Sequence, residues 1–347
     1  MSNILIKNGK VVTLDRIFRG WLFVRGKKIV RMGAGEAPKS LKGDTIDAKG
    51  RFISPGFIDL HIHGAPEEIS RRFAKSGTTS FLASIEAMEL GKVKKILSGD
   101  YSRLDGAKVL GFHLEGQYIN PRMSKAQDGR FARRPDIAEL KRLIEISKGR
   151  VKIVAVSPEI KGALELIKTL KDKVLFSLGH TSALFEEAEI AINSGARYAG
   201  HIFNAFEPFH HRNPGPIGAI LTDDRVYAEI ILDLIHTHAA AFELLLKCKP
   251  LDKIILVTDN TQESKFKRKK ALKSSLTMER AVAHAHVFGG LKIEDAVKLA
   301  TINPARAIGI DRKKGSLKVG KDADIVIFDS KFRTKATIVE GKIVCAE

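Results

Sequence analysis

The segment FIDLHIHG, residues 57–64, decides the fold, because it is the first of eight apolar runs that end in or near polar side chains. Continuous apolar runs are typical of strands buried on both faces of a parallel sheet. The other seven runs lie at residues 79–84, 109–116, 151–159, 174–180, 197–204, 227–236 and 253–260. Helical patterns separate most of them, for example at residues 136–148 and 183–195. Eight such units predict an α/β fold, a TIM-like (β/α)8 barrel.

Sequence of another kind flanks this barrel at both ends. Roughly the first 50 residues contain short alternating segments joined by Asn-Gly and Gly-Lys turns, as expected for strands. The last segments, DADIVIFD, RTKATIVEG and KIVCAE, alternate in the same way. We therefore expect a small β-sandwich domain built from both termini, residues 1–53 and 310–347, beside a barrel of residues 54–309.

The charge of the chain raises the question of a nucleic-acid partner. Its 347 residues include 59 Lys and Arg against 40 Asp and Glu, a net charge of +19. Such a charge favours nucleic-acid binding, but it is also typical of the Lys/Arg-rich surface of some heat-adapted proteins. The basic residues are spread along the chain, and no nucleic-acid-binding motif accompanies the one dense run at residues 265–270. We therefore do not expect nucleic acid as the main partner.

Two further features bear on the compartment. No apolar run approaches the roughly 20 residues of a membrane span, and the first residues do not form a secretory signal pattern. The two cysteines, Cys248 and Cys345, cannot form a disulfide framework. The sequence predicts a cytoplasmic protein without a membrane partner.

Polar side chains of metal-binding or acid–base type recur where the predicted strands end. They are His61 and His63 on the first strand, Glu115 on the third, His180 on the fifth, His201 on the sixth, His236 on the seventh and Asp259 on the eighth. In a TIM barrel the carboxyl ends of the strands meet at one mouth, where the active site lies. The fold hypothesis therefore brings all seven side chains together.

Each of these signals has an ordinary alternative when it is taken alone. A His-x-His pair points both imidazoles to one side of a strand, yet such pairs also occur as core or surface histidines. Asp259 could equally cap the next helix. As a set, imidazole and carboxylate ligands suit Zn²⁺, Fe²⁺ or Co²⁺, and the ligand set alone does not choose among them. We expect one or two such ions per subunit, with Zn²⁺ as the first expectation. With Asp259 moving a proton, the set predicts hydrolysis of an amide or a related C–N bond.

The motifs around these residues resemble those of a known family. Pro55 to Gly64 is similar to the opening signature of the amidohydrolase superfamily, and within it the chain resembles the N-acetylglucosamine-6-phosphate deacetylases. The matching motifs are HLEG at 113–116, SPE at 157–159, LGHTS at 178–182, HIFNAF at 201–206, HHRNPG at 210–215, TD at 258–259, SLTM at 275–278 and NPAR at 303–306. The resemblance covers essentially the whole chain.

The resemblance implies a role for particular residues. It implies that Glu115, His180 and His201 hold one divalent metal ion, that His61 and His63 hold a second ion in some members, and that Asp259 is the general base and then the acid. It implies substrate contacts by the residues Asn204, Ala205 through its backbone, Arg212, His236 and, at a position where the family has a histidine, Gln127. It further implies a phosphorylated amino sugar as substrate and a homodimer.

Three departures from the family pattern all touch the expected substrate pocket. Gln117 stands where the family usually has proline, and Gln127 stands where it usually has a substrate-contacting histidine. The segment at 264–273 is short and strongly basic, which favours either an anion site or a solvated loop. The chemistry is therefore predicted more firmly than the sugar. A different N-acyl amino sugar, or a catalytically silent binding protein with this fold, stays open as an alternative.

Overall fold

The computed structural model describes residues 3–124, 127–261 and 274–346, and within them the strands form two sheets. In chain order the strands are β1 (Asn3–Val12), β2 (Ile17–Arg25), β3 (Lys28–Ala34), β4 (Asp44–Asp47), β5 (Phe52–Pro55), β6 (Phe57–His63), β7 (Thr78–Ile85), β8 (Lys108–Tyr118), β9 (Val151–Val156), β10 (Leu175–Leu178), β11 (Tyr198–Ala199), β12 (Tyr227–Ile231), β13 (Ile254–Val257), β14 (Ile325–Phe328), β15 (Thr334–Val339) and β16 (Lys342–Ala346). The predicted barrel is confirmed, since β6 to β13 pair in parallel in their chain order.

The barrel closes between its first and last strands, close to the predicted site. The His63 N–H donates to the Asn260 carbonyl at 3.0 Å, and the Asp259 N–H donates to the His61 carbonyl at 2.9 Å. Inside the barrel, the buried Asp59 carboxylate accepts a hydrogen bond from the Thr258 hydroxyl at 2.6 Å. Burial raises the pKa of Asp59 to about 7 despite these hydrogen bonds. Backbone and side-chain bonds together thus fix the first strand against the eighth.

Helices cover the outside of the barrel and bury their apolar faces against it. They are α1 (Pro66–Phe73), α2 (Leu90–Ser98), α3 (Ile137–Ile146), α4 (Ala163–Leu170), α5 (Phe185–Ser194), α6 (Gly215–Thr222), α7 (Ala239–Cys248), α8 (Met278–Gly289), α9 (Ile293–Leu299) and α10 (Ile302–Ala307). The predicted helices at 136–148 and 183–195 are α3 and α5, and Asp136 caps α3 by accepting from the Glu139 N–H at 2.8 Å. In the described part of the chain, no helix has the length and apolar character needed to cross a membrane.

The small β domain is built from both ends of the chain, as predicted. Its strands form one mixed sheet in the order β16-β15-β14-β5-β1-β2-β3, with β4 also paired to β1. One apolar cluster takes side chains from both halves of this sheet, for example Ile6 and Leu22 from the N-terminal strands and Ile325 and Ile338 from the C-terminal strands. The two halves of the sheet therefore share one core. The predicted boundaries at 53/54 and 309/310 stay a prediction.

Candidate metal centre

The five predicted metal ligands lie together at the carboxyl ends of the barrel strands, around Glu115. The carboxylate oxygens of Glu115 lie 3.0 Å from His180 Nε2, 3.3 Å from His201 Nε2, 3.4 Å from His61 Nε2 and 3.3 Å from His63 Nε2. All five side chains are buried. Glu115 thus stands between two imidazole pairs, which come from β6 on one side and from the ends of β10 and β11 on the other.

The donor set fits a divalent cation. Within each pair the two Nε2 atoms lie 3.2 Å apart, His61 against His63 and His180 against His201. Two imidazole lone pairs repel at this distance unless a proton or a cation lies between them. The ligand atoms of two groups, His61 with His63 and Glu115, and Glu115 with His180 and His201, each lie within 4.8 Å of one another. Nitrogen and carboxylate donors in this number suit zinc and its neighbours.

Asp259 lies beside only one of the two pairs. Its Oδ1 is 2.9 Å from His63 Nε2 and 3.6 Å from His61 Nε2, and its side chain keeps 18% of its surface exposed at the mouth. Burial raises the pKa of Asp259, but the opposing charge and hydrogen bonding of His61 and His63 outweigh burial and hold it well below its usual range. Asp259 is therefore an ionised carboxylate that faces both the centre and the solvent.

The outward-facing Nδ1 atoms of the four imidazoles have two kinds of partner. His180 Nδ1 lies 3.0 Å from the Met123 carbonyl oxygen, and His201 Nδ1 lies 3.0 Å from the Asn204 carbonyl oxygen. His61 Nδ1 instead lies 2.6 Å from Glu229 Oε1, and His63 Nδ1 lies 3.2 Å from Glu86 Oε1. For His61, His180 and His201 this acceptor keeps the proton on Nδ1 and leaves Nε2 free for a metal, whereas Glu86 contacts His63 Nδ1 as an ion pair without the alignment of a hydrogen bond.

Glu229 and Glu86 are the residues that the sequence reasoning missed. Glu229 lies in the middle of β12 with no exposed surface, and it also accepts the His201 N–H at 3.0 Å. Glu86 directly follows β7 and is 5% exposed. The signal was a lone carboxylate inside or just after an apolar run, because a carboxylate is almost never buried without a partner.

Backbone strain marks the same mouth. Several non-glycine residues there adopt positive φ: His180 at 49°, His201 at 29°, Phe203 at 76°, Ala205 at 56° and Asp259 at 43°. Side chains of the matched motifs support the His180 turn, since the Ser157 hydroxyl donates to the His180 carbonyl at 2.8 Å and Glu159 accepts from the Thr181 hydroxyl at 2.6 Å. Strain of this kind persists only where the surroundings impose it, and it is common at functional sites.

Comparison with known proteins agrees with this geometry. Residues 52–344 match the amidohydrolase family. The chain belongs to the amidohydrolase family. It is 33% identical to the N-acetylglucosamine-6-phosphate deacetylase of Bacillus subtilis (strain 168), across 99% of this chain and 97% of that protein. The resemblance inferred from the motifs is therefore confirmed.

Two further amidohydrolase relatives show how far the similarity extends. The chain is 30% identical to the N-acetylgalactosamine-6-phosphate deacetylase of Escherichia coli O157:H7, across 93% of this chain and 96% of that protein. A solved structure of a variant N-acetyl-D-glucosamine-6-phosphate deacetylase from Mycobacterium smegmatis, in complex with N-acetyl-D-glucosamine-6-phosphate, aligns with 100% of both chains. The TM-score of that alignment is 0.90 at 26% sequence identity. Both domains are therefore shared with this relative.

The predicted substrate residues of this amidohydrolase lie at different depths around the centre. Asn204 and Ala205 are partly buried in the strained turn after His201. The side chain of His236, 12% exposed, lies beyond β12 with its Nδ1 2.6 Å from Asp233 Oδ2. Arg212 is exposed, with its guanidinium 3.3 Å from His211 Nε2, and the described residues show no contact between Arg212 and the centre. The structure thus brings the predicted ligands together more closely than the predicted substrate contacts.

The two glutamine departures lie side by side and are both buried. Gln127 accepts the Ala87 N–H at 2.9 Å through Oε1, and its Nε2 lies 3.5 Å from His180 Nε2. Gln117 donates through Nε2 to the Glu86 carbonyl at 3.0 Å. Both amides therefore bind the backbone that follows β7. The third departure, the basic segment at 264–273, lies outside the described residues.

Proposed function

We propose that this chain hydrolyses the N-acetyl amide of N-acetylglucosamine 6-phosphate, giving glucosamine 6-phosphate and acetate. One observation carries the proposal: four imidazoles and Asp259 surround Glu115 in a chain that is 33% identical, over 99% of its length, to a deacetylase of this substrate. The reaction adds water across the C–N bond, so acetate takes the oxygen and the sugar nitrogen takes a proton.

We assign the metal ligands to two sites that share Glu115. His180 and His201 would hold one ion with Glu115, and His61 and His63 would hold a second. We propose Zn²⁺, with Fe²⁺ or Co²⁺ able to take the same donors. When bound, the metal supplies Lewis acidity that polarises the amide carbonyl and lowers the pKa of water toward neutrality.

Asp259 is the group that moves the proton. Its ionised carboxylate accepts a proton from the attacking water and then gives that proton to the amide nitrogen as the C–N bond breaks. The partial exposure of Asp259 supports this role, because the side chain can reach a substrate at the mouth while it contacts His63. Without this transfer the leaving group would depart as an unstable amide anion.

The remaining predicted residues would bind and orient the sugar phosphate. Asn204 and the Ala205 backbone lie beside His201, where they can meet the sugar. Arg212 offers a planar guanidinium that suits a phosphate, and His236 offers a ring nitrogen at the edge of the mouth. Gln127 can offer its NH₂ group to a substrate, while its oxygen already accepts the Ala87 N–H.

We further propose a cytoplasmic homodimer. Phe209, in the loop that carries Arg212, is 56% exposed, and Leu184 is 51% exposed. Exposed apolar side chains of this size are candidate contacts with a second copy of the chain. Cys248 and Cys345 are free, as in a reducing compartment. Sedimentation analysis tests the dimer directly.

Acetate release tests the proposed reaction. Purified protein, reconstituted with Zn²⁺, Fe²⁺ or Co²⁺, is assayed with N-acetylglucosamine 6-phosphate, with its 4-epimer N-acetylgalactosamine 6-phosphate and with unphosphorylated N-acetylglucosamine. We expect the first substrate to give the highest kcat/KM. Removal of the metal with a chelator should abolish turnover, and restoring the metal should return it.

The outcomes test the amide hydrolysis and the identity of the sugar separately. If the 4-epimer or another N-acyl amino sugar is hydrolysed faster, the amide hydrolysis stands and the proposed substrate is wrong. If the protein binds metal but releases acetate from none of these sugars, the proposed reaction itself fails.

A further inference from the structure

Glu86, Gln117 and Gln127 form one connected unit beside the metal centre. Glu86 approaches His63 with its carboxylate, while its carbonyl and the following N–H of Ala87 are each held by a glutamine amide. These residues come from three different parts of the chain: the end of β7, the end of β8 and the loop that follows β8. Their contact is therefore a product of the fold and not of local sequence.

The backbone around Glu86 is clamped from both sides. The Gln117 amide donates to the Glu86 carbonyl at 3.0 Å, and the Gln127 oxygen accepts from the Ala87 N–H at 2.9 Å. Both glutamine side chains are buried. Hydrogen bonds on the two sides of one peptide unit fix its orientation, so the Glu86 side chain starts from a defined position.

Gly116 makes this clamp possible. A Cβ atom at this position would lie 1.9 Å from the Ala87 nitrogen and 2.3 Å from Gln127 Oε1. Any side chain there would therefore push the clamped peptide away from β8. The glycine that follows the bridging Glu115 thus lets the strand carrying Glu115 and the segment carrying Glu86 pack together.

The clamp aims the Glu86 carboxylate at the outer nitrogen of a predicted metal ligand. Glu86 Oε1 lies 3.2 Å from His63 Nδ1, while His63 Nε2 faces Glu115 at 3.3 Å and Asp259 at 2.9 Å. The contact is an ion pair that lacks the alignment of a hydrogen bond, so Glu86 acts through its negative charge, which favours a proton on Nδ1 and makes Nε2 a stronger donor.

We propose that Glu86 is a positioning residue that orients His63 toward the second metal ion, and that Gln117 and Gln127 hold Glu86 in place for this task. The inference rests on the proposed function, because it assumes that His61 and His63 hold an ion. According to this inference, the two glutamines that depart from the family pattern help to retain a metal ion. The ion on the His61 and His63 side should therefore depend on them.

The test is a chelator competition that starts from the fully loaded, full-length enzyme. The variant Glu86→Gln keeps the size of the side chain and removes its charge. We expect one of two metal-dissociation steps to weaken about 10- to 100-fold while the other stays within about twofold. The variant Gln117→Met, which removes the hydrogen bond to the Glu86 carbonyl, should weaken the same step by a smaller factor.

A matched control lies on the connection between β7 and α2, which also carries Glu86. Glu89 is three residues away, its side chain is 60% exposed, and it pairs with Lys92 at 3.2 Å. Glu89→Gln makes the same chemical change and should leave both dissociation steps unchanged. The visible absorption of the Co²⁺-loaded proteins supplies a second readout, in which Glu86→Gln should alter the band of one ion only.

Each other result overturns the inference in a recognisable way. Equal weakening of both steps in Glu86→Gln, with a lower melting temperature, would show a general structural role. Unchanged metal affinity in a well-folded variant would show no role at all. If the unmodified enzyme holds a single ion, the second site is absent, and if it holds none, the proposed function fails with the inference.

Discussion

The two halves of the candidate metal centre are built in different ways. On one side, His61 and His63 lie on β6, and the carboxylates of Glu229 and Glu86 lie 2.6 and 3.2 Å from their Nδ1 atoms. On the other side, His180 and His201 lie in turns with positive φ, and backbone carbonyls bind their Nδ1 atoms.

The two halves therefore fix the positions of their imidazoles by different means. The turns with positive φ place their imidazoles through the backbone, with support from the Ser157 and Glu159 side chains on the His180 side. The strand half relies on buried carboxylates, which add negative charge next to the imidazoles and can be removed by substitution. We therefore expect the strand half to be the more easily tuned of the two, and the predictions below begin with the largest expected effect.

Replacing Glu115, the ligand that both sites would share, should remove the difference between the two halves. Glu115→Ala removes the carboxylate that contacts all four imidazoles, so both ions should be lost together. We expect kcat/KM to fall roughly 10⁴-fold or more, because the several kcal/mol supplied by the metal disappear at about 1.4 kcal/mol per tenfold. Metal analysis and acetate release measure the two effects. Retention of one full equivalent of metal would show that Glu115 is not shared.

Replacing the proposed base should separate chemistry from metal binding. Asp259→Asn should lower kcat by roughly 10²- to 10⁴-fold, since the proton transfer is lost, while at least the ion on the His180 and His201 side stays bound. The exposed Asp224 offers a matched control, and Asp224→Asn should keep full activity. A variant of Asp259 with normal kcat would remove it from the proposed mechanism.

Replacing Glu229, the buried carboxylate of β12, should change metal affinity in the two halves to different extents. Glu229→Gln keeps an acceptor for the His61 ring and for the His201 N–H but loses the charge. We expect the affinity for the ion on the His61 side to fall about 10- to 100-fold, with a smaller change on the His201 side. Chelator competition measures both. A larger loss on the His201 side would reverse the comparison.

The smallest effect concerns the pH dependence of the metal-free protein. Burial lowers the pKa of His63, but Glu115, Asp259 and Glu86 outweigh burial and raise the pKa from 6.5 to about 9. Protonated His63 therefore contributes stability that is fully present below pH 6.5 and is lost as the pH rises through about 9.

The melting temperature measures this effect. We expect the melting temperature of the chelator-treated protein to fall by a few degrees between pH 6.5 and about pH 9. The stabilisation gained by adding Zn²⁺ should grow over the same range, because a metal needs the neutral imidazole. A melting temperature that rises with pH in the metal-free protein would contradict the assignment of these charges.

Much of the fold could be predicted, because buried barrel strands appear in the sequence as continuous apolar runs. All eight runs became strands, although β11 is only two residues long, Tyr198–Ala199, because the chain turns sharply at His201. The period of two along β6 correctly placed His61 and His63 on one side, with their ring centres 5.1 Å apart. The gathering of the five predicted ligands followed from the rule that strand ends meet at one mouth, while the family resemblance selected them as ligands.

The supporting residues could not be predicted in the same way. The contact between Gln127 and Ala87 joins positions 40 residues apart and depends on how two loops pack. Glu86 lies just beyond the predicted end of its strand at residue 84, so it was not counted among the strand-end residues. Pairings of this kind come from tertiary packing, which periodicity and motif spacing do not encode.

The central claim is that one carboxylate joins two unlike metal sites. Anomalous X-ray scattering from crystals of the Zn²⁺-loaded protein tests it most directly. The account predicts two peaks, one within bonding distance of Glu115, His180 and His201 and the other within bonding distance of Glu115, His61 and His63. A single peak in fully loaded crystals, or two peaks that do not share Glu115, would contradict it.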